Sequence, residues 1–109
     1  MAQKITTVTI PNGQTESNEL VLHGAEGARG LTLNIISPGT LPETVNVELG
    51  DAVGGNYGRL RSNAVDIALA AGKSDIFDSI VAVTLKLVAT GVTAAARSFI
   101  VIQASRAYE

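Results

Sequence analysis

His23 is the single histidine of the chain, so any nucleophilic triad with a histidine base has to run through it. It stands at the end of a short strand pattern, just before Gly24, an ordinary place for a solvent-facing imidazole. No nucleophile and orienting group accompany it at a recognisable spacing. Asp75 and Asp78 are the nearest approach to a carboxylate pair for acid–base work or cation binding. With Ser74 and Ser79 beside them they read instead as the cap of one helical turn over residues 73–79, followed by solvated loop. Glu16 and Glu19 lie in a polar loop and read the same way. Gly72-Lys73-Ser74 matches the end of a phosphate-binding loop, but that motif needs a glycine where Ile67 stands, and no long helix follows. The 11 glycines contain no Gly-x-Gly, so the dinucleotide fingerprint is absent. With no cysteine, thiolate zinc sites and iron–sulfur clusters are excluded, as are disulfides. The expectation is a protein that is not an enzyme, with no catalytic residues, no cofactor and no metal.

What remains is binding, and composition restricts the partner. Eight basic and ten acidic residues give a net charge of −2. The basic residues are scattered, and only Arg59 and Arg61 are close, so no cluster neutralises phosphates and no nucleic-acid partner is expected. Residues 1–10 contain no apolar signal stretch, and no apolar run approaches the ~18 residues of a membrane span. The expected place of synthesis is the cytosol, with no membrane partner. Hydrophobic residues are 46% and charged residues 17% of the 109. So low a charge leaves a surface of small polar residues, or one partly covered by a partner.

The elements that position these residues read as strands. Thirty residues are Val, Ile or Thr, a load that favours extended backbone. Alternation puts Thr6, Val8 and Ile10 on one face of residues 5–10, with Ile5, Thr7 and Thr9 on the other. It recurs at Leu20 and Leu22, at Leu31, Leu33 and Ile35, and at Val45, Val47 and Leu49. Residues 57–60 are a short strand candidate. Val65, Ile67 and Leu69 predict one strand, Val81, Val83, Leu85 and Leu87 another, and Phe99, Val101 and Gln103 the last. The alanine-rich residues 64–71 have period two, so a helix there is disfavoured. About eight strands at 8–12-residue spacing predict an all-β fold, an antiparallel β-sandwich in one domain over residues 1–109. Its core must be aliphatic, since the chain has two Phe, two Tyr and no Trp. Residues 1–4 and 104–109 lie beyond the strand patterns and read as frayed ends or as arms that order on a partner. Ile36, Val88 and Ile100 are apolar on the face away from that core, which places their strands centrally or under another subunit.

The opening Val8-Thr9-Ile10-Pro11-Asn12-Gly13-Gln14-Thr15-Glu16-Ser17-Asn18 resembles the start of small structural proteins of tailed bacteriophages. So do Ile36-Ser37-Pro38-Gly39, Leu49-Gly50-Asp51, Gly55-Asn56-Tyr57, Leu85-Lys86-Leu87 with Thr90-Gly91, and Ala96-Arg97-Ser98. The similarity spans roughly residues 5–102 and departs at Thr40-Leu41-Pro42, where a Trp or Phe is often found. The resemblance implies a jelly-roll sandwich acting as a capsid decoration or cement protein. Its implied partners are the major capsid protein and further copies of itself, as dimer or trimer. Its implied location is the virion surface, after synthesis in the host cytoplasm. A tail or neck adaptor of the same fold, or a carbohydrate- or receptor-binding sandwich, are the alternatives. Partner contacts are expected in the two termini (Ala2, Gln3, Lys4, Arg106, Tyr108), in the glycine-rich loop (Asn56, Tyr57, Arg59, Arg61) and in the 73–79 loop (Asp75, Phe77). Tyr57 itself reads either as a loop tyrosine covering the sandwich end or as a contact residue.

Overall fold

The computed structural model describes residues 2–22 and 30–105. His23, Arg106 and Tyr108, and most of the glycine-punctuated loop before Leu31, lie outside the described residues. In chain order the strands are β1 (Ala2–Ile10), β2 (Leu20–Val21), β3 (Leu31–Ile36), β4 (Val45–Gly50), β5 (Tyr57–Arg59), β6 (Arg61–Ser62), β7 (Val65–Asp66), β8 (Ala68–Leu69), β9 (Ser74–Ile80), β10 (Thr84–Ala89) and β11 (Arg97–Ser105). One large sheet has the order β1-β11-β3-β9 and a second β2-β10-β4-β5, with β8 also on β4, while β6 and β7 pair with each other as a two-stranded sheet. Every pairing is antiparallel. Successive long strands mostly alternate between the sheets, which is the winding of a jelly roll. The all-β sandwich expected from alternation is the observed fold.

The alternating residues meet between the sheets. Val8, Ile10, Leu33, Ile35, Val45, Val47, Leu85, Leu87, Phe99 and Val101 are all fully buried. Phe77 is half-buried and packs against this cluster. Gln103, the polar member of the β11 inner face, donates from Nε2 to the Val21 carbonyl at 3.4 Å. At the opposite end of β11, Arg97 and Glu43 form a two-pronged pair, Nε to Oε1 at 2.9 Å and Nη2 to Oε2 at 3.1 Å. It ties the 37–44 connection to the first sheet.

Hydrogen bonds from Arg97 hold the Glu43 carboxyl below its ordinary value near 4.5. A carboxylate depressed in the folded state contributes stability above its unfolded pKa, and that contribution is lost as pH falls through the folded one. Glu43→Gln is therefore expected to lower the melting temperature at neutral pH and to flatten its dependence on pH below about 4.5. The two melting curves should converge in acid. Parallel curves across the titration would remove the pair from the acid response.

Four expectations from the sequence are corrected. Residues 73–79 are not a helical turn: β9 runs through them, because Phe77 alternates inward against Leu33 while Ile76 faces outward beside Asn34. A bulge sets two residues, Asp78 and Ser79, against Thr32 alone, and Ser79 takes φ 58° to accommodate it. The 65–69 alternation does not make one strand. Asn63 and Ala64, at φ 52° and 64°, close a two-residue hairpin between β6 and β7. That leaves Val65 exposed, while Leu69 reaches the core from β8. Val81 and Val83 precede β10 and are exposed rather than buried. Finally, residues 2–4 are not an arm. They are the first part of β1, paired with Gln103, Ala104 and Ser105, because β11 continues far enough to hold them.

Candidate functional site

The two sheets present opposite kinds of outer surface. On the second sheet, Glu48 stands across from Arg59 and Lys86. Arg59 reaches Glu48 at 3.4 Å and Asp66 at 3.2 Å. Arg61 reaches Asp66 at 3.6 Å, and Lys86 reaches Glu16 at 3.2 Å. Arg59 and Arg61 are thus paired with carboxylates of their own chain.

Tyr57 closes one end of this surface. It lies across from Gly50, whose missing Cβ makes room for the ring: a methyl there would collide with Thr84 Oγ1 and the ring itself. Lys86 Nζ sits 4.8 Å from the ring centroid. The Tyr57 hydroxyl donates to Glu19 Oε2, and the Gly54 N–H donates to the same carboxylate at 3.1 Å. These bonds, the hydroxyl first, hold the Glu19 carboxyl below its ordinary value, while burial and Glu19 push the Tyr57 hydroxyl up. Beside Tyr57 opens a cavity of about 850 Å³, lined among others by Leu22, Leu49, Asp51, Asn56, Val81 and Val83. The Asp51 carboxylate accepts from the Asn56 N–H at 2.9 Å, which shapes its polar rim. Tyr57 stands on β5 rather than in the glycine-rich loop, half-buried, and its ring walls the cavity.

The first sheet is different. Its cross-strand register makes one outer row of Ile5, Ile102, Asn34 and Ile76, and a second of Thr7, Ile100, Ile36 and Ser74. Ile5 and Ile76 are each 65% exposed and Ile100 is 41% exposed. Neither row contains a charge. Asp78, in the bulge beyond them, accepts from Thr32 Oγ1 at 3.0 Å, and Ser74 Oγ donates to Asn34 Oδ1 at 2.6 Å. Five isoleucines on one open sheet face form a contiguous apolar patch of the kind that marks an interaction surface.

Ile36 and Ile100 of this patch are the two that strand alternation in the sequence marks as outward and apolar. Val88, flagged with them, belongs to the other sheet, where it lies half-buried against Asn46 and the Glu16 bridge. Ile5, Ile76 and Ile102 had not been singled out. Their signal was present as apolar residues on the wrong face of their strands, but it becomes a patch only once the order β1-β11-β3-β9 is known. Of the residues expected to meet a partner, Gln3 is exposed on β1 at the margin of this patch, while Lys4 is exposed on the opposite phase of the strand, across from Gln103. Asp75 is half-buried across from Ile35. No group of three or more metal-ligating side chains occurs among the described residues.

No protein-family model matches the sequence, and no curated protein sequence matches it. Solved structures do. The chain is similar to the SPBc2 prophage-derived protein YomS, with TM-score 0.62 and 16% identity over 96% of both chains. It is also similar to part of IMPa from Pseudomonas aeruginosa, solved in complex with an O-glycopeptide, with TM-score 0.55 and 23% identity. That likeness covers 95% of this chain and 12% of IMPa. At these identities the shared property is the fold, a small antiparallel β-sandwich found both as nearly a whole chain and as a module of a far longer one.

Proposed function

We propose that this chain is a non-enzymatic virion structural protein of a tailed phage, a decoration or cement protein that binds the outer surface of the assembled major capsid protein shell. The observation that carries the reading is the pair of uncharged, isoleucine-rich rows on the outer face of the first sheet, set on a domain whose other outer face is laced with internal ion pairs. Burying apolar area stabilises an interface by roughly 25 cal/mol per Å², whereas burying an unpaired charge costs far more. The first sheet is therefore the face suited to lie against a protein shell and the second the face suited to remain in water. The phage setting is supported by the sequence resemblance and by likeness to a prophage-derived protein along nearly the whole of both chains. Many weak copies on a repeating lattice would gain by effective concentration.

The test is co-sedimentation of the purified protein with immature and with expanded heads of its phage. Saturable binding to expanded heads is the expected result. Ile76→Asp, a change at an exposed site, should lower occupancy at least about tenfold without lowering the melting temperature. Tyr57→Ala with Arg59→Ala should lower it only if the charged face takes part. Failure of the unaltered protein to bind either form would overturn the proposal. A second reading, a glycan-binding sandwich, draws on the Tyr57 cavity with its Asp51 and Asn56 rim. It predicts saturable glycan binding that Tyr57→Ala abolishes.

A further inference from the structure

The two edges of the first sheet are guarded unequally. The β9 edge carries the bulge at Asp78 and Ser79 and a left-handed residue, devices that spoil strand addition. The β1 edge has neither: it runs nine residues in unbroken register with β11, and no proline occurs before Pro11.

Two observations fix which backbone groups of β1 point off the sheet. The Thr9 N–H donates to Asn18 Oδ1 at 3.0 Å rather than to β11. The Thr9 and Ser98 hydroxyls approach to 3.0 Å, as expected of the closer side chains in a non-hydrogen-bonded cross-strand pair. By alternation, Gln3, Ile5 and Thr7 also direct N–H and C=O away from β11. Asn18 satisfies Thr9, but no described residue bonds to the other three.

We infer that this edge pairs with the same edge of a second copy, β1 antiparallel to β1 about a twofold axis at Ile5. In that register Gln3 faces Thr7 of the other copy, Ile5 faces Ile5, and Thr7 faces Gln3. Each pair exchanges two backbone hydrogen bonds, so all three open positions are satisfied by the same three positions of the mate. Charge permits it as well. Lys4, the one charged residue of β1, falls across from Thr6 of the mate rather than from its own copy. The isoleucine rows beside the seam are uncharged in both copies. The product is a continuous eight-stranded sheet whose outer face joins two isoleucine patches. The pairing goes beyond the proposed role, needs no shell, and is tested without one.

Sedimentation equilibrium of the purified chain should give twice the 11.2 kDa chain mass. Thr7→Pro removes one off-edge N–H while leaving the β11 ladder intact, and an edge position of this kind tolerates proline. It should give a monomer with unchanged circular dichroism. Ile5→Lys sets two ammonium groups directly opposite across the axis. It should also give a monomer, with dimer partly restored by high salt, and serves if the proline variant fails to fold. Ile76→Asp, on the far strand of the same face, should leave the dimer intact. A monomeric native chain at every attainable concentration would overturn the inference. So would a dimer that persists in Ile5→Lys or is lost in Ile76→Asp, which would indicate face-to-face packing instead.

Discussion

Replacing Phe99 by Ala is expected to cost about 3–5 kcal/mol of folding stability. Phe99 is the largest fully buried side chain among the described residues. It lies on β11, an inner strand of the first sheet, directly across from Val8 of β1. The rest of the buried core is aliphatic and close-packed, and its Val and Ile members have χ1 held to few rotamers, so it has little freedom to collapse into the space left behind. The loss is the transfer energy of the ring plus the energy of the cavity. At this size each kcal/mol moves the melting temperature by roughly 4–8 °C. Urea unfolding should show the midpoint falling with the slope unchanged. Phe99→Leu, which keeps most of the volume, should cost far less. A loss under about 1 kcal/mol for the alanine variant would mean that Phe99 does not anchor the core.

That core was legible in the sequence because its signal is local. Val45, Val47, Leu85, Leu87, Phe99 and Val101 sit at every second position of their strands, and a strand's two faces differ by one residue of phase. Three of the four misreadings occur where pairing with another strand overrides the local pattern. Residues 73–79 carry Ser and Asp at spacings that suit a helical cap, yet β3 offers an edge on which Phe77 can bury, and pairing wins. Val65, Ile67 and Leu69 alternate correctly for one strand. The Asn63-Ala64 turn folds the first part back on Arg61, and of the three only Leu69 is buried in the core. Residues 2–4 lack a pattern of their own and are strand only because β11 extends beside them.

The candidate surface was legible in part, for the same reason. Apolar residues on the outward phase could be seen one strand at a time, at Ile36 and Ile100. Whether they touch one another depends on strand order, which brings β1, the first strand, beside β11, the last. Val88 shows the converse: it carries the same local signal and belongs to the other sheet. Tyr57 could be recognised as a special aromatic in a glycine-rich stretch. Its partner Glu19 is 38 residues away and was read as plain polar loop.

Gly30→Ala is expected to cost about 2–5 kcal/mol, combining the penalty of a left-handed backbone with that of overpacking. Gly30 has φ +66°, and a Cβ there would stand 2.6 Å from the Ile80 carbonyl oxygen and 3.0 Å from the carbonyl carbons of Ile80 and Ser79. These are backbone atoms of the β9 bulge, so no side chain can swing aside to relieve the contact. The bulge cannot move freely either. Ile80 is buried and pairs with Leu31, while Ser79 already occupies φ 58°. The glycine and the bulge therefore fit each other, and together they bring the chain into β3 against the blunted edge of the first sheet. Gly13, also at positive φ (+76°), has open space where its Cβ would stand. Gly13→Ala should thus carry the backbone penalty alone, about 1–2 kcal/mol. Urea unfolding of the two variants separates the contributions, since the excess for Gly30 measures the collision with Ile80. Equal losses at the two positions would mean that β9 yields to the methyl, and that the bulge is softer than its geometry implies.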